Sequence, residues 1–369
     1  MASFRGFSVV MTVVLTVVLG GCCVGGHGVV IGPTEELGIC ASAVTIYGYK
    51  CQEIQDGVTW LLNSPEQNLP MILADDGYDV WIANTRGTRF SRRHTTLNPT
   101  DQAFWNWSWD ELVLYDLPAV FDHVFQQTSQ KIHYVGHSLG TLIVLASLSE
   151  GKLVNQLHSV AFLSPIAYLS HMTTPIGVLA ARSLLPEKVY GLLGIAEFNP
   201  KGKEVGELLK VWCTHPGVNC YDLLSAFTGH NCCLNSSTVE LFLKNEPQST
   251  STKNMVHLAQ TVRSGVLAKY NYGRTDYNLM HYGEINPPLY NLSNIPHDLA
   301  IFISYGGRDA LSDVKDVNRL LDHFKLHDVD KFAVQFIQNY AHADYIMGVD
   351  ANNIVYNSVI SFFKKHGSV

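Results

Sequence analysis

Two hydrophobic rhythms divide most of this chain into short alternating elements. In EQNLPMILADD (66–76) apolar positions recur at helical spacing, and Gly77 ends the run. YDVWIANTR (78–86) then reads as a buried strand. Helical spacing returns over 108–127 (SWDELVLYDLPAVFDHVFQQ), with Ser108 as N-cap, Glu111 three residues later and Pro118 predicting a kink. KIHYVGH (131–137) predicts a strand, LGTLIVLASLSEG (139–151) a helix stopped at Gly151, and HSVAFLS (158–164) a further apolar strand.

The rhythm breaks over 165–297, a helix-like, loop-rich stretch, and resumes with the strand DLAIFISYGG (298–307). A helix over 313–325, the strand KFAVQFIQNY (331–340) and a last helix near 351–365 complete the pattern. Strands alternating with helices imply an α/β fold with a mostly parallel sheet and helices on both faces. The expected organisation is a core from 28–165 and 298–369, with 166–297 inserted as a cap or lid. Residues 28–56 show little regular pattern.

The N-terminus has a different character. Arg5 precedes the apolar run FSVVMTVVLTVVL (7–19), and small residues follow it. The run is short for a membrane span, so residues 1–27 read as a secretory signal peptide rather than a retained anchor. Cys40, Cys51, Cys213, Cys220, Cys232 and Cys233 would remain after its removal. An exported chain with an even count permits disulfides, whose pairing spacing alone does not set. Sequons at Asn106, Asn235 and Asn291 fit the same route, which leads to secretion or to a vacuolar or lysosomal compartment.

With 369 residues, 47% of them apolar, the chain can bury a large core. A formal net charge of -7 argues against a nucleic-acid partner. No spaced Cys/His/Asp cluster calls for a catalytic metal, and no motif calls for a cofactor. The close spacing of Cys213, Cys220, Cys232 and Cys233 would allow zinc, but an oxidising compartment favours disulfides. The pattern specifies no oligomeric state.

Candidate chemistry centres on Gly136-His137-Ser138-Leu139-Gly140. This G-x-S-x-G sequence is common. Here a β-branched strand runs into it and a small-residue helix runs out, as a strained turn presenting a nucleophile requires. The alternative is a tight turn with an incidental serine. Serine needs a base to take its proton, and the base needs a carboxylate to hold it. In such folds the chain order is Ser, acid, His. Asp309 follows a late strand and the Gly306-Gly307 turn. Its rivals Asp313 and Asp316 fall within the next helix, and Asp298 lies at the wrong end of the strand. His342 follows the last strand, whereas His323 and His327 precede it and His366 lies in the tail. The backbone N–H of Leu139 is the expected oxyanion donor.

GYDVWIANTRGTRFSRRH, FWNWSWDEL, GHSLGT, YGGRDALSD and NYAHADYIMGVDA together resemble the eukaryotic acid lipases, the gastric and lysosomal lipases and their plant triacylglycerol lipase homologues. The resemblance runs from about Cys40 to the C-terminus. It implies an α/β-hydrolase fold, a helical cap with an apolar acyl tunnel, and hydrolysis of triacylglycerols or related lipid esters at an oil–water or membrane interface. It assigns the same triad of Ser138, Asp309 and His342. In one respect the chain departs from the family: Gln55 runs directly into Asp56, where relatives carry early strands, one ending in His-Gly. The only nearby His-Gly, His27-Gly28, lies at the leader boundary. The departure predicts that early strands are missing, that the slot between 78–86 and 131–137 is open unless its neighbours close up, and that one of two oxyanion donors is lost. Such a loss typically costs about 10²–10³ in turnover. A catalytically impaired lipid-binding homologue, from a splice variant or truncated chain, is therefore the alternative expectation.

Two weaker signals remain. Arg86, Arg89, Arg92, Arg93 and His94 read as a solvated, ion-paired loop rather than a lipid-headgroup contact. Trp105, Trp107 and Trp109 read as packing around a helix start rather than a lipid contact.

Overall fold

The computed structural model describes residues 11–18, 58–89, 91–202, 223–246 and 248–367. Its main sheet has six strands: β1 (Met11–Val18), β2 (Tyr78–Ala83), β3 (Ile132–Ser138), β4 (Leu157–Pro165), β7 (Ala300–Gly306) and β8 (Phe332–Ile337). The short β5 (Glu197–Phe198) and β6 (Thr250–Ser251) pair antiparallel elsewhere. The main sheet runs in the order β2-β1-β3-β4-β7-β8, and every neighbouring pair is parallel.

Parallel strands covered on both faces need apolar side chains on both sides, and the central strands supply them. Tyr134, Val160, Phe162, Ile301 and Ile303 pack into one core with the helices Leu117–Thr128, Leu139–Ser149 and Val314–Leu321. Val135, Ala161, Leu163, Ala300 and Phe302 pack into the other, with Leu69–Asp75 and the last helix, Asn357–His366. The helix 139–149 is buried at every residue, which explains why its sequence shows no polar face.

Most of the predicted elements are present with shifted ends. The Ser108–Glu111 capping box forms reciprocally: Ser108 N–H donates to Glu111 Oε2 at 2.6 Å, and Ser108 Oγ accepts from Asp110 N–H at 3.3 Å. Instead of a sharp bend, Pro118 is preceded by a π turn over Leu112–Asp116. The wider turn accommodates a ring that would clash with the carbonyl one turn earlier.

The N-terminus departs from expectation. Met11–Val18, the heart of the apolar run read as a leader, pairs between β2 and β3, with Val14 opposite both Trp81 and Tyr134. It fills the slot expected to be open. No described strand pairs with the far edge of β2, so the earliest strands are still missing from the described sheet. An export signal and a doubly covered parallel strand ask for the same thing, an unbroken apolar run rich in β-branched residues. Cys40, Cys51, Cys213 and Cys220 lie outside the described residues. Cys232 and Cys233 are bonded to each other.

The basic loop and the tryptophans behave as structural features. Arg86 pairs with Asp116 at 2.6 Å, and Arg92 pairs with Glu197 and lies 5.2 Å from the Trp105 ring centroid. Trp105, Trp107 and Trp109 are buried.

Asp110 ties the first turn of its helix to the chain that leads into β7. It accepts from Tyr270 N–H and Tyr290 Oη, each at 2.7 Å. Burial pushes its carboxyl up from an ordinary 3.8 to about 6, against the bonds from Tyr270 and Tyr290. Between these values the folded chain holds a proton that the unfolded chain has lost. The associated stability is present at low pH and disappears as pH rises through about 6. Its size is on the order of 1 kcal/mol, discounted because the residue keeps some solvent contact. Asp110→Asn should therefore flatten part of the rise in melting temperature between pH 7 and pH 5, as read by wild-type and variant thermal melts in matched buffers.

Candidate active site

Four residues of the site come from the carboxyl ends of neighbouring parallel strands, the edge where open α/β sheets hold their ligands. Ser138 ends β3 and Ser164 is the penultimate residue of β4. Asp309 follows β7 and His342 follows β8.

Ser138 adopts φ 54° and ψ -124° between its strand and the helix 139–149. A non-glycine residue held there costs on the order of 1–3 kcal/mol. Gly136 makes the turn possible: a Cβ there would sit 2.8 Å from the Tyr134 ring and 3.0 Å from the Gly140 backbone. Tyr134 Oη donates to Gly140 O at 2.9 Å, and Thr141 Oγ1 donates to Ser138 O at 2.6 Å. Leu139 opens the helix, where a backbone N–H has no intrahelical partner and the helix dipole favours negative charge. The loop after β1, the position of a second donor in this kind of fold, lies outside the described residues.

The predicted acid and base meet. Asp309 and His342 are buried, and His342 Nδ1 lies 3.1 and 3.0 Å from Asp309 Oδ1 and Oδ2. Oδ1 also accepts from the backbone N–H of Leu311 at 2.9 Å and of Ser312 at 2.7 Å. Burial alone would raise the Asp309 pKa. The facing His342 and the bonds from His342, Ser164 and Ser312 outweigh it and hold the carboxyl below its ordinary value. An ionised carboxylate only accepts, so the imidazole proton is assigned to Nδ1.

His342 Nε2 is buried and has no partner among the described residues, and no hydrogen bond joins it to Ser138 Oγ. The imidazole stands beside the chain neighbour of Ser138: the His137 and His342 ring centroids are 4.6 Å apart. Catalytic hydrogen bonds are often long in unliganded sites and tighten when substrate binds. Burial and the neighbouring His342 lower the His137 pKa to about 3, so its ring is neutral, and His137 Nε2 donates to His342 O at 2.9 Å.

The chain between β4 and β7 holds the loops bearing Asp309 and His342 by backbone. Thr228 O accepts from His342 N–H at 3.1 Å and from Ala310 N–H at 3.4 Å. Gly229 bridges to Asp309, and a Cβ at Gly229 would run into the Arg308 carbonyl oxygen. Asn231 Oδ1 accepts from Ala343 N–H at 3.1 Å. Asp344 accepts from Ala341, Cys232 and Cys233 N–H. The sulfurs of Cys232 and Cys233 lie near this carboxylate but are tied to each other.

Sequence reasoning missed Ser164, His137, Thr228 and Asn231. Ser164 Oγ donates to Asp309 Oδ2 and lies 2.8 Å from His342 Nδ1. Its only signal was a polar residue closing an apolar strand on the reactive edge. Cavities of about 300 Å³ around His257 and 480 Å³ around Phe332 include none of Ser138, Asp309 and His342 in their linings. The expected acyl tunnel is not among them.

Residues 62–209 match the family described as alpha/beta hydrolase fold. The chain is 57% identical over 372 residues to triacylglycerol lipase 2 of Arabidopsis thaliana, covering 90% of this chain and 89% of that protein. The chain belongs to the acid lipase family. As a member it is a hydrolase. It is also 34% identical to human lysosomal acid lipase/cholesteryl ester hydrolase, over 85% of this chain and 78% of that one. A soluble variant of Saccharomyces cerevisiae monoglyceride lipase, solved with a substrate analogue, superposes with TM-score 0.52. Its 13% identity, over 85% of this chain and 84% of that one, speaks for the fold alone.

Proposed function

We propose that this acid lipase family member hydrolyses triacylglycerols or related lipid esters through a Ser138 acyl-enzyme. The supporting observation is the buried Asp309–His342 pair beside the strained Ser138 turn. Substrate class follows the relatives, which are named as triacylglycerol lipases and a cholesteryl ester hydrolase. His342 Nε2 takes the Ser138 proton as Oγ attacks the ester carbonyl. Asp309 steadies the imidazolium through Nδ1–H, and the Leu139 N–H receives charge on the carbonyl oxygen. Collapse expels the alcohol, which takes the proton from His342. Water, activated by the same base, then releases the fatty acid. The impaired-homologue alternative rests on a missing second oxyanion donor; β1 lies in the slot beside β3, and the loop after β1, where that donor would sit, lies outside the described residues.

Ser138→Ala should lower p-nitrophenyl ester turnover by roughly 10⁴–10⁶-fold and abolish fluorophosphonate labelling. Equal rates, or labelling at another serine, would remove the assignment.

The lipid-facing surface lies at the turn after the helix Leu185–Gly191. There Leu192 and Leu193 are 80% and 59% exposed, with Leu184 and the exposed Lys188 nearby. Leu192→Ser/Leu193→Ser should cut activity on emulsified triacylglycerol several-fold and leave a soluble short-chain ester within about twofold. An equal loss on both would point away from an interface role.

The working compartment lies along the secretory route, secreted or lysosomal/vacuolar. Exposed sequons at Asn106, Asn235 and Asn291 support this, as do the gastric and lysosomal relatives. No described helix is long and apolar enough to cross a membrane. Endoglycosidase treatment should shift the mass of the purified protein, in steps lost one by one in Asn→Gln variants; an unshifted mass would count against this route. N-terminal sequencing of the same sample reads the fate of residues 11–18: a start beyond Val18 assigns them to export, and a start at Met1 or Ala2 assigns them to the sheet.

A further inference from the structure

Ser164 is fully buried, and its backbone sits in the left-handed region at φ 50°. Serine has no intrinsic preference for that region, and the following Pro165 restricts the residue further. The conformation places Oγ between the acid and the base. Among the described residues no other side chain hydrogen-bonds to both Asp309 and His342.

The two oxygens of Asp309 are held differently. Oδ1 is fixed by the N–H groups of Leu311 and Ser312. Among the described residues Oδ2 has no backbone donor, and besides the imidazole its partner is the Ser164 hydroxyl. A hydroxyl whose proton points at Oδ2 turns a lone pair toward His342 Nδ1, 2.8 Å away. It can therefore donate to the carboxylate and accept from the imidazole together.

We infer that Ser164 is a positioning residue of the triad, pinning Asp309 Oδ2 and the Nδ1 edge of His342 so that Nε2 is the ring nitrogen left for the nucleophile. The inference rests on the triad reading above. A carboxylate anchored through one oxygen can swing about its Cβ–Cγ bond, and the imidazole it holds swings with it. Small misplacements of a base cost large factors in rate.

The test measures kcat and KM on a soluble p-nitrophenyl ester for wild type, Ser164→Ala, Ser164→Gly, Asp309→Asn, Ser164→Ala/Asp309→Asn and Ser138→Ala, with melting temperatures to establish that each variant is folded. Ser164→Ala and Ser164→Gly should both lose roughly 10- to 100-fold in kcat, with KM changed less than about twofold. Glycine accepts positive φ without strain, so an equal loss in both assigns the effect to the hydroxyl. In the Asp309→Asn background, Ser164→Ala should cost less than about threefold more, because the carboxylate it orients is gone. Wild-type kcat in Ser164→Ala, wild-type kcat in Ser164→Gly alone, or an undiminished loss in the Asp309→Asn background would each overturn the inference. Full activity in Ser138→Ala would instead overturn the triad reading beneath it.

Discussion

A carboxylate removed from water stays charged only if nearly every lone pair is answered, and Asp309 meets that condition. Two backbone N–H groups, a hydroxyl and an imidazole surround it. Take away the donors and burial would neutralise the group, leaving the imidazole without a partner that fixes its tautomer. These four donors come from three separate segments: β4, the loop after β7 and the loop after β8. The ionised acid is therefore a product of the parallel sheet, which brings the ends of those strands to one edge.

The same dependence runs to the left of the nucleophile. β3 is central, so its outer flank needs a strand, and Met11–Val18 provides one. An unanswered row of buried N–H and C=O groups there would cost about 1–3 kcal/mol for each group. That cost exceeds what one domain can absorb more than a few times over. The arrangement of this flank therefore bears on Ser138 as directly as the residues that touch it.

Where a single physical demand shapes a segment, its sequence was readable. The strand into Ser138, the helix out of it and the capping box at Ser108 each follow from periodicity or from one bond's geometry. Where two demands share a signature, sequence was silent. The apolar run at 11–18 suits an export leader and a buried strand equally well. Ser164 reads as the polar end of a strand, because nothing in a linear string tells that its hydroxyl will meet Asp309 and His342, 145 and 178 positions away. The backbone contacts of Thr228 carry no sequence signature, since any residue could offer that carbonyl.

The stretch 228–234 has a mechanical consequence. It is stitched by main-chain bonds to the loops bearing Asp309 and His342. Lifting 228–234 away would break those bonds, so any rearrangement of the chain between β4 and β7 that keeps the Asp309–His342 contact must leave this stretch behind as a fixed rib.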